Sequence, residues 1–112
     1  TVPAILWVTQ PDGRCTYLNA QWYAYTGQTE AEAEGFGWLD VTHPDDKPEA
    51  ARLFLEANAR REPFSLVYRL RHRDGTYRWT IDKASPRFGT GGEYEGMIGT
   101  VVDVHDQKMA ED

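Results

Sequence analysis

Cysteine is nearly missing from this chain. Cys15 stands alone, so no internal disulfide can close and no set of thiolates exists for a structural zinc. A lone thiol predicts a reducing, cytoplasmic setting. No apolar run approaches the ~18 residues of a membrane span and no Lys/Arg-led apolar segment opens the chain, which predicts no direct membrane contact. The two serines, Ser65 and Ser85, lie in or beside predicted strands and outside any Gly-x-Ser-x-Gly. Cys15 sits in a predicted strand away from any helix N-terminus or base, which suits an inert thiol better than a nucleophile. His43, His72 and His105 form no HxxxH pair, and His43-Pro44-Asp45-Asp46 reads as a turn with a helix cap rather than a ligand set. Gly91 and Gly96 have the spacing of a P-loop's outer glycines, but Met97-Ile98 stands where Lys-Ser/Thr is required; a GxGxxG from Gly89 fails at Tyr94. Glu30, Glu32 and Glu34 fall on predicted surface helices and make no glycosidase pair. Lys and Arg number 12 against 18 Asp and Glu, a net charge of −6 that disfavours nucleic acid. The expectation is no catalytic group, no metal and no nucleic-acid partner.

What is present is one domain's worth of chain: 112 residues, 40% hydrophobic and 27% charged. Ile5-Leu6-Trp7-Val8-Thr9 and Cys15-Thr16-Tyr17-Leu18 read as a hairpin around Pro11-Asp12-Gly13. Asn19 reads as the N-cap of a short helix, Ala20 to Thr26, stopped by Gly27. Thr29 with Glu32, and Asp46 with Glu49, have capping-box spacing. The second box opens a longer helix with Ala50, Leu53, Phe54 and Ala57 on one stripe, ended by Pro63. The period then changes to two: Phe64, Leu66, Tyr68 and Leu70, an Asp74-Gly75 hairpin turn, then Tyr77, Trp79 and Ile81. A glycine loop, 89–92, precedes a last strand from Tyr94 to Val104. Strands flanking a run of helices predict an α+β fold with an antiparallel sheet. Residues 1–59, 60–87 and 88–112 carry net charges of −6, +5 and −5; the basic middle reads as the solvated face of strands.

Aromatic residues are abundant: four Trp, six Tyr and four Phe. Helices laid across a curved sheet can enclose a cavity lined by such residues, with a fully packed core as the alternative. The candidates for pocket lining or core are Tyr68, Leu70, Trp79, Ile81, Met97 and Gly99 on the sheet, with Trp38 and Phe54 from the helical segment. A slip of one residue in strand register would turn half of them outward.

Several motifs in order resemble a PAS domain, a sensory module of signalling proteins. They are Asp12-Gly13 with Tyr17-Leu18-Asn19, Tyr25-Thr26-Gly27, Gly37-Trp38-Leu39-Asp40-Val41-Thr42-His43-Pro44-Asp45-Asp46, Tyr68-Arg69-Leu70 through Asp74-Gly75-Thr76-Tyr77-Arg78-Trp79, and Gly99-Thr100-Val101-Val102-Asp103-Val104. The last two resemble the associated C-terminal PAC motif. The resemblance implies a five-stranded antiparallel sheet in order 2-1-5-4-3 with helices on one face. It divides the chain into a PAS domain, 1–104, and the start of a signalling helix, 105–112. It also implies a non-catalytic regulatory module of a larger protein, such as a sensor histidine kinase or cyclic-dinucleotide enzyme. That module would respond to a small ligand or partner and act on an output domain of the same chain, and it would pair as a homodimer. The alternative is a ligand-free dimerisation module; an enzyme would need a base in the cavity. The Asn-Cys-Arg-Phe of flavin-adduct relatives is absent, residues 47–60 hold no histidine for haem, and no cysteine follows that helix for a covalent chromophore. A non-covalent flavin or a small metabolite stays open. Relatives end on Asp-x-Thr; here Asp103-Val104-His105 keeps the Asp and places a histidine at the exit, so these three residues are the candidate signal relay.

Overall fold

The computed structural model describes residues 4–111. Alternating β-prone residues form β1 (Ile5–Thr9), and Gly13 closes the turn at φ 95° with its N–H on the Gln10 carbonyl, so that β2 (Cys15–Leu18) returns antiparallel. Three small helical pieces follow: α1 (Ala20–Thr26), α2 (Glu30–Ala33) and a 3-10 turn (Gly37–Val41). The amphipathic α3 (Lys47–Arg60) leads into the hairpin of β3 (Phe64–Arg71) and β4 (Tyr77–Phe88). Then come β5 (Tyr94–Asp103) and the short α4 (His105–Glu111). The five strands form one antiparallel sheet in the order β2-β1-β5-β4-β3. Among the described residues no helix is long and apolar enough to cross a membrane.

One face of the sheet is buried. Ile5, Trp7 and Thr9 of β1 point to it, as do Leu66, Tyr68 and Leu70 of β3, Thr80, Asp82 and Ala84 of β4, and Met97, Gly99 and Val101 of β5. Trp22, Val41, Ala50, Phe54 and Ala57 cover it from the helical segment. Pro86 fits inside β4 because β3 pairs with that strand only as far as Ala84, so the missing N–H interrupts no ladder on that side.

The β4 face differs from the sequence expectation. A two-residue Asp74-Gly75 turn would set Tyr68 against Ile81 and Leu70 against Trp79, turning both apolar residues inward. Instead His72 donates its N–H to the Thr76 carbonyl, and Arg73, Asp74 and Gly75 form a three-residue turn with Gly75 at φ 90°. Tyr68 therefore pairs with Thr80, and Leu66 with Asp82. One residue of slip inverts the strand: Trp79 and Ile81 lie on the outer face, and Thr80 and Asp82 lie in the core.

Two helix caps also differ. Thr29 and Glu32 form both halves of their capping box and Gly27 ends α1 at φ 76°. Asn19, however, sends its amide to the Ala4 carbonyl and caps nothing with its side chain. Asp46 makes no cap bond either: its carboxylate takes the Arg69 backbone N–H at 2.8 Å and the Arg69 guanidinium at 2.9 and 2.8 Å. These bonds hold the Asp46 carboxyl below its usual range and tie the start of α3 to β3.

Candidate functional site

Between the sheet and the helical cover lies a cavity of about 30 Å³. Its sheet wall is Trp7, Thr9, Leu66, Tyr68, Asp82 and Val101. Trp22, Trp38 and Phe54 face it from the helical side, and Cys15, Leu18 and Phe64 close its edges. Five rings meet edge to face around it: Trp7–Phe54 at 6.0 Å, Trp38–Phe54 at 5.9 Å, Trp38–Tyr68 at 6.3 Å and Phe54–Phe64 at 5.8 Å between centroids.

Local bonds hold these rings. Trp22 Nε1–H donates to Gln28 Oε1, and Gln28 Nε2–H donates to the Gly37 carbonyl, fastening α1 to the 3-10 turn that carries Trp38. Thr42 Oγ1–H donates to the Trp38 carbonyl, and Thr42 bridges to Leu70 of β3. On the sheet side Gly99 makes room for the Trp7 indole lying over it. A Cβ at that position would stand 2.4 Å from Trp7 Cζ2.

Among the described residues the one charged side chain on the wall is Asp82, and it is 6% exposed. Its Oδ1 accepts the Trp7 Nε1–H at 2.8 Å. Its Oδ2 has Tyr68 Oη at 3.5 Å, the outer limit of a hydrogen bond. Burial pushes the carboxyl up to about 7, against the opposing hydrogen bonds from Trp7 and Tyr68. Burial and the neighbouring Asp82 push the Tyr68 hydroxyl well up, and burial likewise raises the Cys15 thiol, so both stay neutral near pH 7. A cavity of this size admits about one or two water-sized groups. Pockets for drug-sized ligands run to about 300–1,000 Å³, so the interior as it stands is too small for a non-covalent flavin.

The structure distributes the candidate pocket residues over three environments. Trp38, Phe54 and Tyr68 stand together on the cavity wall. Leu70 and Met97 are fully buried in the surrounding core, and Gly99 lies beneath Trp7; none of the three lines the space. Trp79 and Ile81 are on the opposite face, for the register reason given above. There the Arg69 guanidinium lies 4.9 Å from the Trp79 ring centroid and Lys108 Nζ 4.8 Å from it. Sequence reasoning missed Trp7 and, above all, Asp82. An acid alternating with Trp79 and Ile81, which the two-residue turn would point inward, looks solvated until the turn length is known.

The candidate relay residues meet in one junction. Asp103 Oδ2 accepts Tyr25 Oη–H at 2.8 Å and Arg78 Nε–H at 2.6 Å, and its Oδ1 accepts the His105 backbone N–H at 2.9 Å. Burial works against its ionisation, but the hydrogen bonds from Arg78, His105 and Tyr25 outweigh that and hold the carboxyl below its ordinary value. Burial and the same carboxylate raise the Tyr25 hydroxyl far above its own. The Val104 N–H donates to the Trp79 carbonyl, and the Trp79 N–H donates to His105 Nδ1 at 3.1 Å, so α4 leaves the sheet clamped to β4.

The profile of the PAS fold family matches residues 16–101. Over 97% of its length the chain is 38% identical to an uncharacterised protein, y4lL, of Sinorhizobium fredii. Over 98% it is 31% identical to the peroxide stress-activated histidine kinase mak1 of Schizosaccharomyces pombe. The chain spans only 13% and 7% of those two proteins. Among solved structures, the N-terminal domain of a Marinobacter aquaeolei diguanylate cyclase with PAS/PAC sensor superposes with a TM-score of 0.82 at 24% identity, covering 95% of this chain and 99% of that one. A sensory box histidine kinase/response regulator from Burkholderia thailandensis gives 0.72 at 28% identity, over 97% of this chain and 82% of that one.

Proposed function

Since the chain belongs to the PAS fold family of signalling sensor domains, we propose that it is the input module of a longer signalling protein. In this reading the PAS unit, 1–104, holds the sensory interior, and the segment from 105 carries its state to an output region of the same chain. The observation that supports it is the Asp103 junction. One carboxylate gathers α1 through Tyr25, β4 through Arg78 and the start of α4 through the His105 N–H. Val101, two residues earlier on β5, lines the cavity, and the next inward residue of β4 after Thr80, the partner of Asp103, is Asp82. A rearrangement of the interior that shifts β4 against β5 therefore reaches the bonds that fix α4. Output then depends on which of two interior arrangements an input stabilises. No reaction is assigned to the domain itself: its cavity is closed to substrate-sized molecules and its thiol is held protonated by burial.

The test is a coupling between wall and helix. Trp38→Phe should shift the amide resonances of 105–111 in the otherwise native chain and leave them unmoved in an Asp103→Ala background. Helix resonances indifferent to Trp38→Phe in the native background refute the relay.

A second reading, pairing of two copies, draws on the outer sheet face. Tyr17, Val8 and Ile98 form one cross-strand row there, and Val67, Ile81 and Val102 form another. Tyr17, Val67, Ile98 and Val102 are exposed. An apolar patch of that kind suits association with a second chain.

A further inference from the structure

Asp82 is an expensive group to bury in its charged form, and among the described residues no basic side chain stands on the wall beside it. The other two titratable groups among the described wall residues, Tyr68 and Cys15, are held neutral. Trp7 satisfies one carboxyl oxygen, while the second has only the 3.5 Å approach of Tyr68. A core built only for packing has no use for a carboxyl oriented by an indole N–H and left half-partnered.

What surrounds that oxygen is aromatic. Trp7, Trp38, Phe54, Phe64 and Tyr68 line one water-sized space and meet edge to face around it, and a cation set over a ring face is attracted, most strongly where water is excluded. A carboxylate at the end of a ring cage is the complement of a positive head bearing N–H donors. Once Asp82 is ionised, the same surface repels anions and a neutral guest leaves the charge uncompensated. The volume of about 30 Å³ limits such a guest to a nitrogen with very few carbons.

We propose that the interior binds a small primary ammonium ion of about methylammonium size, its N–H groups on Asp82 Oδ2 and its charge among the rings. This rests on the interior being the sensory site and names the chemistry of its input. Binding requires the ionised carboxylate, so the cation competes with a proton for Asp82.

The probe is methylammonium chloride, followed through the fluorescence of Trp7, Trp22 and Trp38, with sodium chloride and sodium acetate at equal ionic strength as controls. A saturable change with methylammonium and none with either control is expected at pH 8. Its apparent affinity should fall about tenfold from pH 8 to pH 6, as Asp82 takes up its proton, and Asp82→Asn should lose the response. No saturable change at pH 8, an affinity independent of pH, or equal binding by Asp82→Asn overturns the proposal. Should the variant not fold, the pH series on the native chain decides. If methylammonium is ignored while Trp38→Phe still moves α4, the ligand class is overturned and the sensory reading stands.

Discussion

Asp82 makes the stability of this domain fall where most proteins are comfortable. Its carboxyl titrates at about 7 in the folded chain against about 3.8 when unfolded, because burial penalises the charge. Between those values the folded state keeps a proton that the unfolded state has released, so stability declines as pH rises. At about 1.4 kcal/mol per pH unit the full span amounts to about 4 kcal/mol, of which about 3 kcal/mol falls between pH 5 and pH 8.5. Asp46 and Asp103 do not obscure this. Their carboxyls are lowered in the fold, so their contributions are present above the ordinary aspartate range and disappear only as pH drops below it. Urea unfolding followed by tryptophan fluorescence measures the effect. With a denaturant slope of roughly 1–3 kcal/mol per M, the midpoint should drop by about 1–3 M from pH 5 to pH 8.5. Asp82→Asn keeps the shape and cannot ionise, so it should lose this slope. A native midpoint that is flat or rises over that range, or a variant with the native slope, refutes the assignment of a buried, protonated acid.

Two further substitutions probe the frame and the outer face. Gly96 sits at φ 103°, where a Cβ would stand 2.0 Å from the Thr9 carbonyl oxygen, so Gly96→Ala must part β1 from β5. It should cost about 3 kcal/mol or more, whereas Gly92→Ala, at φ 84° with open space around it, should cost about 1 kcal/mol. Thermal melts that rank the two equally count against the close β1–β5 approach. Ile98→Lys with Val102→Lys should leave stability within about 1 kcal/mol of native and convert any dimer to monomer in sedimentation. A dimer that persists removes the outer face as its interface.

Much of the architecture is written in local chemistry. Gly27 after Thr26, the Thr29–Glu32 box, and the alternation from Phe64 to Leu70 each specify their own geometry within a few residues, so the element order and the inward face of β3 follow from the chain alone. The presence of aromatic residues in the helical crossing and on β3 is equally plain, and Trp38, Phe54 and Tyr68 meet around one space. The face of β4 is a different matter. Its polar and apolar residues alternate cleanly, and that pattern satisfies either orientation; the one-residue difference between a two- and a three-residue turn at Arg73-Asp74-Gly75 chooses between them. Only that choice buries Asp82, and its hydrogen-bond partner Trp7 is 75 residues away in the chain. Capping follows the same logic: Asp46 has the spacing of a local cap, yet Arg69, arriving from β3, offers its carboxylate a guanidinium ion pair through two N–H groups and its own backbone N–H. Short-range preferences chose the elements, while the register between strands and the long-range competition for each polar group decided which side chains share the interior.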